Sequence, residues 1–225
     1  MIKILGINCS PREKSNSRAL LEISFTKTKE KFQNNFEYEI INLKDFNIKP
    51  CLACDVCGKT KEKGDFIPCV QKDDMSDVLK KMVESDGIAL ATPVYFGLPT
   101  DLFSKFIMRT RLVRHQDFAL SNKVVGIMAT AARRSGGAET TILSTWLPFI
   151  RNGCIIVGNG DRTCQFGTVA WAGARQHVLT DEWGIEQAID TVERIYHIAN
   201  LLKAGAEAIK YQNPMRFCYI AGTRP

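Results

Sequence analysis

Apolar positions along the chain fall into short runs, each followed by a longer stretch of mixed polarity. Ile2-Lys-Ile-Leu-Gly-Ile7 reads as a buried strand. A helix is predicted over about 16–34, where Leu20, Leu21, Phe25 and Phe32 form a rough apolar stripe. Residues 36–43 alternate well enough for a second strand, and Asp73, Asp74 and Ser76 offer caps for a helix reaching Glu84. A third buried strand covers 87–92 and stops at Pro93; a helix follows over about 100–112. The fourth strand is 123–130, then a helix over 139–150, a fifth strand at 154–157 and a long closing helix over roughly 185–210. Five apolar strands separated by helices imply a five-stranded parallel sheet in a three-layer α/β/α sandwich, because parallel strands need crossover connections. In such folds ligands bind beyond the carboxyl ends of the strands. Three polar or Gly-rich loops leave those ends: 8–17, 93–99 and 130–138.

Composition narrows the class. The 225 residues are 45% hydrophobic and 24% charged, an ordinary globular balance. A chain of this length buries roughly 70–75% of its unfolded surface, enough for one core. No Pro/Gly/Ser linker interrupts it, so a single domain over 1–225 is expected, with an irregular excursion at 50–72. The longest uncharged run, 87–100, is shorter than the ~20 residues of a spanning helix. The opening MIKILGIN passes straight into polar residues, unlike a secretory signal. A cytoplasmic protein away from membranes is therefore expected. The net charge of +6 is mild and its basic residues are scattered, not gathered into the stripe that nucleic acid requires. An anionic small molecule suits it better.

The first loop, Asn8-Cys-Ser-Pro-Arg-Glu-Lys-Ser-Asn-Ser17, is neither a dinucleotide fingerprint nor a Walker A loop. It offers the hydroxyls of Ser10, Ser15 and Ser17, the Asn16 amide, Arg12 and the free N–H groups of a helix start, which suit a terminal phosphate. The alternative is that Ser15 or Asn16 only caps the helix. The second loop sets Pro93, Val94, Tyr95, Phe96 and Gly97 at a strand end, either as a rigid turn or as a stiff apolar wall for a flat heterocycle. The third, Thr130-Ala131-Ala132 onward, carries Gly136 and Gly137, which let backbone approach a ligand closely.

Eight cysteines in a chain without secretory features point to metal or redox work. Cys51, Cys54 and Cys57 have the C-x2-C-x2-C spacing that ferredoxins use for cubane clusters, and Cys69 follows after 11 residues as a fourth ligand. A four-thiolate zinc site, or no metal at all, are the alternatives. Cys9 and Cys154 read as core, Cys218 falls in the tail, and Cys164 lies near Asp161 and Arg162. His115, His177 and His197 are too scattered for a metal site. Trp171 marks a subunit contact or a cover over the site, with Trp183 adjoining.

GINCSPREKSNS, TPVYFGLP and the Gly-Gly-x-Glu loop together resemble the flavodoxin-like NAD(P)H-dependent FMN reductases. With the cysteine motif, the chain is most similar to their iron–sulfur flavoprotein branch. The likeness covers residues 1 to about 160 and departs from it at Ala138 and at the inserted 59–63 tract. It implies a flavodoxin-like fold with FMN phosphate at Ser10, Arg12, Ser15, Asn16 and Ser17. The isoalloxazine would lie against Pro93 to Gly97 and Thr130 to Gly137. It further implies a 4Fe–4S cluster on Cys51, Cys54, Cys57 and Cys69, with electrons supplied by NAD(P)H or a ferredoxin-like donor. A homodimer or homotetramer is implied too, in which the cluster reaches the flavin of a neighbouring subunit. Flavin reduction needs no acid–base pair, and no catalytic dyad is visible. A cluster-free FMN or quinone reductase, a flavodoxin-like carrier and a zinc-stabilised binding module are the competing functions; the positive charge argues against the carrier.

Overall fold

A computed structural model of the chain describes residues 1–59, 69–160, 164–173 and 177–214; residues 60–63, Asp161, Arg162 and Cys218 lie outside these. The strands are β1 (Ile2–Asn8), β2 (Phe36–Asn42), β3 (Gly87–Pro93), β4 (Val124–Ala131), β5 (Ile155–Val157) and β6 (Thr168–Trp171). The helices are α1 (Asn16–Phe32), α2 (Met75–Glu84), α3 (Asp101–Arg109), α4 (Arg111–Arg114), α5 (Ala138–Arg151) and α6 (Glu182–Ala208). The sheet runs β2-β1-β3-β4-β5 with parallel pairing throughout, Ile7 lying beside both Ile41 and Leu90, and Leu90 beside Ile127.

Alternation along the strands divides the core in two. Leu5, Ile7, Ile88, Leu90, Val125 and Ile127 face the layer of α2, α3 and α5. Ile2, Ile4, Ala89, Ala91, Val124 and Met128 face α1 and α6. At Gly126 the sheet must be small because α6 lies close: a Cβ there would sit 2.6 Å from the Thr191 methyl. Among the described residues no helix is long and apolar enough to cross a membrane.

The edge beside β4 holds what the apolar pattern does not show. β5 pairs with Val124–Gly126, whereas β6, from a stretch that reads as irregular, pairs with Met128–Ala131. Four residues are too few to display a period. The outward N–H groups of β6 are covered by side chains instead of another strand. Val169 N–H donates to Gln187 Oε1 at 3.1 Å and Trp171 N–H to Asp181 Oδ2 at 2.6 Å. Asp181 also caps α6 by accepting from Gly184 N–H at 3.2 Å. An edge closed in this way is protected from further pairing, and it brings Ala172 and Gly173 to the carboxyl rim of the sheet.

Candidate functional site

Three loops meet at that rim. Asn8 Oδ1 accepts from Ser10 N–H at 3.2 Å, and Ser10 Oγ accepts from Arg12 N–H at 3.3 Å, which coils the first loop back toward its strand. Ser15 Oγ accepts from Arg18 N–H at 3.1 Å, so this hydroxyl caps α1. Asn16 donates to Ala172 O and accepts from Val178 N–H, both at 3.2 Å, tying the helix start to the chain beyond β6. The buried hydroxyls of Ser17 and Thr130 are 2.8 Å apart and join the first loop to β4.

The second loop is anchored by Val94 N–H on Thr130 O at 3.0 Å. Tyr95 and Leu98 exchange backbone hydrogen bonds of 2.9 and 3.0 Å across a two-residue turn. Phe96 (φ 54°) and Gly97 (φ 77°) both lie in the left-handed region, the geometry of a type I′ turn, and Phe96 projects fully into solvent. Thr100 caps α3 and donates to Cys9 O at 2.7 Å. In the third loop Gly137 has φ 90°, and a Cβ there would lie 2.7 Å from the Gly97 Cα. Its smallness admits the neighbouring turn. Gly137→Ala combines left-handed strain of about 1–3 kcal/mol with that collision. Urea unfolding is expected to show a loss of at least that size; an unchanged midpoint would contradict the packing.

Between the loops lies a cleft lined by Ser10, Arg12, Lys14, Asn16 and Ser17 on one wall. Pro93, Val94 and Tyr95 form the next wall, and Thr130, Ala132, Ala172 and Gly173 complete it. Of the residues singled out in the sequence, Ser15, Phe96, Gly97, Ala131, Gly136 and Gly137 support the cleft without lining it. Ala131 is turned into the core. Lys14 has no motif of its own to mark it in the first loop, and Ala172 and Gly173 arrive through β6, which has no periodic signal. Arg12 and Lys14 have no acidic partner among the described residues. Two uncompensated cations, serine hydroxyls and a helix N-terminus form a donor set that suits a terminal phosphate. Trp171 stands at the rim, half-exposed, with its indole N–H on Ala132 O at 3.2 Å and its ring edge-on to His177.

A second cavity lies against the far end of α3. Cys51, Cys54, Cys57 and Cys69 all line it, with Met108, Arg109, Arg111 and Leu112 as the opposite wall. The described cysteines are thiols; Cys51 and Cys54 are exposed, Cys57 and Cys69 half-buried. Among the described residues no three ligating side chains are already drawn into coordinating range. The chemistry of the donor set nevertheless fits a thiolate-bound centre, with soft donors on one side and guanidinium groups on the other. Burial raises the Cys57 thiol above its ordinary value, while the Arg111 guanidinium opposes the shift. Arg111 also pairs with Asp55 inside the motif. Neither arginine could be found from cysteine spacing, since Arg109 ends α3 and Arg111 begins α4, both more than 50 positions beyond Cys54. His115 is buried beside this cavity, and His197 stacks edge-on to Phe32.

A parallel 2-1-3-4-5 sheet with a cleft at its carboxyl rim, beyond β1, β3 and β4, defines a flavodoxin-like protein. The chain belongs to the NADPH-dependent FMN reductase family, which it matches over residues 2–161, and is an FMN-dependent oxidoreductase. It is 35% identical over 202 residues to an iron–sulfur flavoprotein of Methanocaldococcus jannaschii, covering 90% of this chain and 100% of that one. An iron–sulfur flavoprotein of Archaeoglobus fulgidus is 36% identical over 207 residues, covering 90% and 98%. In fold it is similar to RosB with bound 8-demethyl-8-formylriboflavin-5′-phosphate (TM-score 0.67, 17% identity, 100% and 94% covered). A flavodoxin, WrbA-like protein from Agrobacterium tumefaciens has TM-score 0.56 at 15% identity, covering 88% and 97%.

Proposed function

We propose that this protein passes electrons between FMN, held in the rim cleft, and a 4Fe–4S cluster held by Cys51, Cys54, Cys57 and Cys69. The observation that carries this reading is the lining of one cavity by all four thiols, with Arg109 and Arg111 placed against them. FMN accepts electrons as a pair and releases them singly, and a cubane takes one at a time. In the cleft, Ser10, Ser17, Arg12 and Lys14 bind the phosphate, and the stiff Pro93–Tyr95 segment and Thr130–Ala132 orient the ring. The arginines offset the negative charge that four thiolates gather. NAD(P)H or a ferredoxin-like protein supplies the electrons. The direct test is the absorption spectrum of anaerobically purified protein together with iron, sulfide and zinc analysis. Flavin bands with a broad cluster shoulder and equal iron and sulfide are expected; flavin alone, or stoichiometric zinc, overturns the cluster.

The two centres work across chains in this reading. Thr100 at the start of α3 touches the cleft loop and Arg109 at its end lines the cysteine cavity. A nine-residue helix is about 13 Å long, and the cavities share no lining residue. A symmetric homodimer or homotetramer brings one chain's cysteines to its neighbour's flavin. The exposed Phe166, Trp171 and Trp183 supply aromatic surface for such contacts. Mixing a cluster-free variant with a flavin-free one is expected to restore electron transfer. A monomer that reduces its cluster through its own FMN would rule this out.

A further inference from the structure

Helix α5 packs on the sheet through Ile142, Thr145 and Phe149 and leaves its opposite side uncovered. On that side Glu139, Leu143, Leu147 and Arg151 fall at intervals of four and form a single ridge. Leu143 is 38% exposed, Leu147 is 64% exposed, and the charged ends are exposed as well. Ile150, on the adjoining ridge, is 54% exposed. Phe166 continues the apolar surface: its ring stands edge-on to Trp146 of α5 at 5.7 Å, and it is itself half-exposed. Neither Glu139 nor Arg151 has a charged partner among the described residues. The helix dipole favours an acid in the first turn and a base in the last. It gives no reason for two leucines to stand in water between them.

This ridge is complementary to itself under a two-fold rotation. An axis level with Thr145, whose side chain is buried on the core-facing side, exchanges position 139 with 151 and 143 with 147. Glu139 of one copy then meets Arg151 of the other at both ends of a contact about 18 Å long. Between them each Leu143 meets a Leu147, as an isologous interface requires. Ridges of this spacing pack against one another in the commonest class of helix pair. A parallel pairing would set Glu139 on Glu139, and a slip of one turn would set Glu139 on Leu147. Both take charges out of water unpaired, which is costly. Glu139 also lines a cavity of about 310 Å³ with Phe166, Trp183 and Gln187, so an incoming guanidinium finds a carboxylate and two aromatic rings.

We propose that this ridge is the docking surface for a second copy of the chain, joined by two Glu139–Arg151 pairs around a Leu143–Leu147 seam. The same pairing orients the two cavities. At its start α5 abuts the cleft loops, Thr140 Oγ1 donating to Gly97 O at 3.1 Å. At its end Asn152 Nδ2 donates to Thr110 Oγ1 at 3.0 Å, and Arg114 Nε donates to Arg151 O at 2.9 Å. Thr110 stands between Arg109 and Arg111 of the cysteine cavity. An antiparallel α5 pair therefore turns the cysteine end of each chain toward the cleft end of its partner, which supplies a face for the cross-chain reading on which this proposal rests.

Sedimentation equilibrium and light scattering of the full chain with its flavin test the face. Glu139→Arg and Arg151→Glu each set like charges opposite one another, twice by symmetry, and the dissociation constant of the pair is expected to rise at least about tenfold. Mixed one to one, the two variants carry opposite charges across both contacts. They are expected to assemble with each other at close to wild-type strength, although neither does so alone. Weakened helices would not be rescued by mixing. Leu143→Glu/Leu147→Glu is expected to halve the particle mass, with flavin content and circular dichroism at the wild-type level. A wild-type oligomer whose mass survives the leucine substitutions overturns this face and leaves the cross-chain reading standing. Charge variants that do not weaken assembly, or weaken it without complementing, have the same meaning. If the leucine variant fails to fold, complementation between the charge variants decides alone. A wild-type protein that keeps the mass of one chain at every concentration removes the cross-chain reading and this proposal with it.

Discussion

Serine at both Cys51 and Cys54 is expected to bring iron and sulfide to background while leaving bound flavin at the wild-type level. The loss should be complete because an iron–sulfur cubane needs thiolate ligands, and a hydroxyl at ordinary pH is a poor substitute for one. Flavin should survive because the cysteine cavity and the rim cleft have no lining residue in common. Both side chains are exposed, so their replacement removes little packing. Cys164→Ser, in the excursion between β5 and β6, should leave iron untouched. Retention of half or more of the iron in the double variant would show that these two positions are not ligands.

The second large effect is on flavin. Arg12→Ala/Lys14→Ala removes both uncompensated cations from the cleft, and each hydrogen bond to a charged group is worth about 1.5–3 kcal/mol. FMN affinity is expected to fall by at least about a hundredfold, since each 1.4 kcal/mol is a factor of ten. The effect should shrink as salt is raised, because the cations are at the surface. Ser15→Ala should behave differently. Its hydroxyl caps α1, so the expected cost is about 1 kcal/mol of stability, with affinity for FMN little changed. Titration of the metal-free and flavin-free protein with FMN, read by flavin fluorescence, separates the two. Unaltered affinity in the double variant would place the phosphate elsewhere.

Much of this arrangement is legible along the chain. Buried parallel strands read as short apolar runs, since both faces are covered; β1, β3, β4 and β5 follow from that, and β2 from its alternation. The C-x2-C-x2-C run places three thiols within one loop whatever the surroundings. Hydroxyls immediately after the first strand are legible as candidate phosphate donors because the connection to a helix presents free N–H groups there.

What the tertiary structure decides is everything that depends on groups distant in sequence. β6 is defined by its pairing with Met128–Ala131, its outer N–H groups covered by Gln187 and Asp181, and four residues are too few to show a period in the sequence. That Gly137 lies against Gly97, where a Cβ would meet the Gly97 Cα at 2.7 Å, is likewise invisible in the sequence. Ser15 and Ser17 are equivalent in the sequence, yet one caps a helix and the other meets Thr130, because helix geometry turns neighbouring side chains to different faces. Arg109 becomes part of the cysteine site only through a helix that begins at the opposite cavity. Local spacing determines which residues can act together within a loop or helix turn; which loops meet is set by long-range packing, where hydrogen bonds join positions over a hundred residues apart, as they do Asn16 and Ala172.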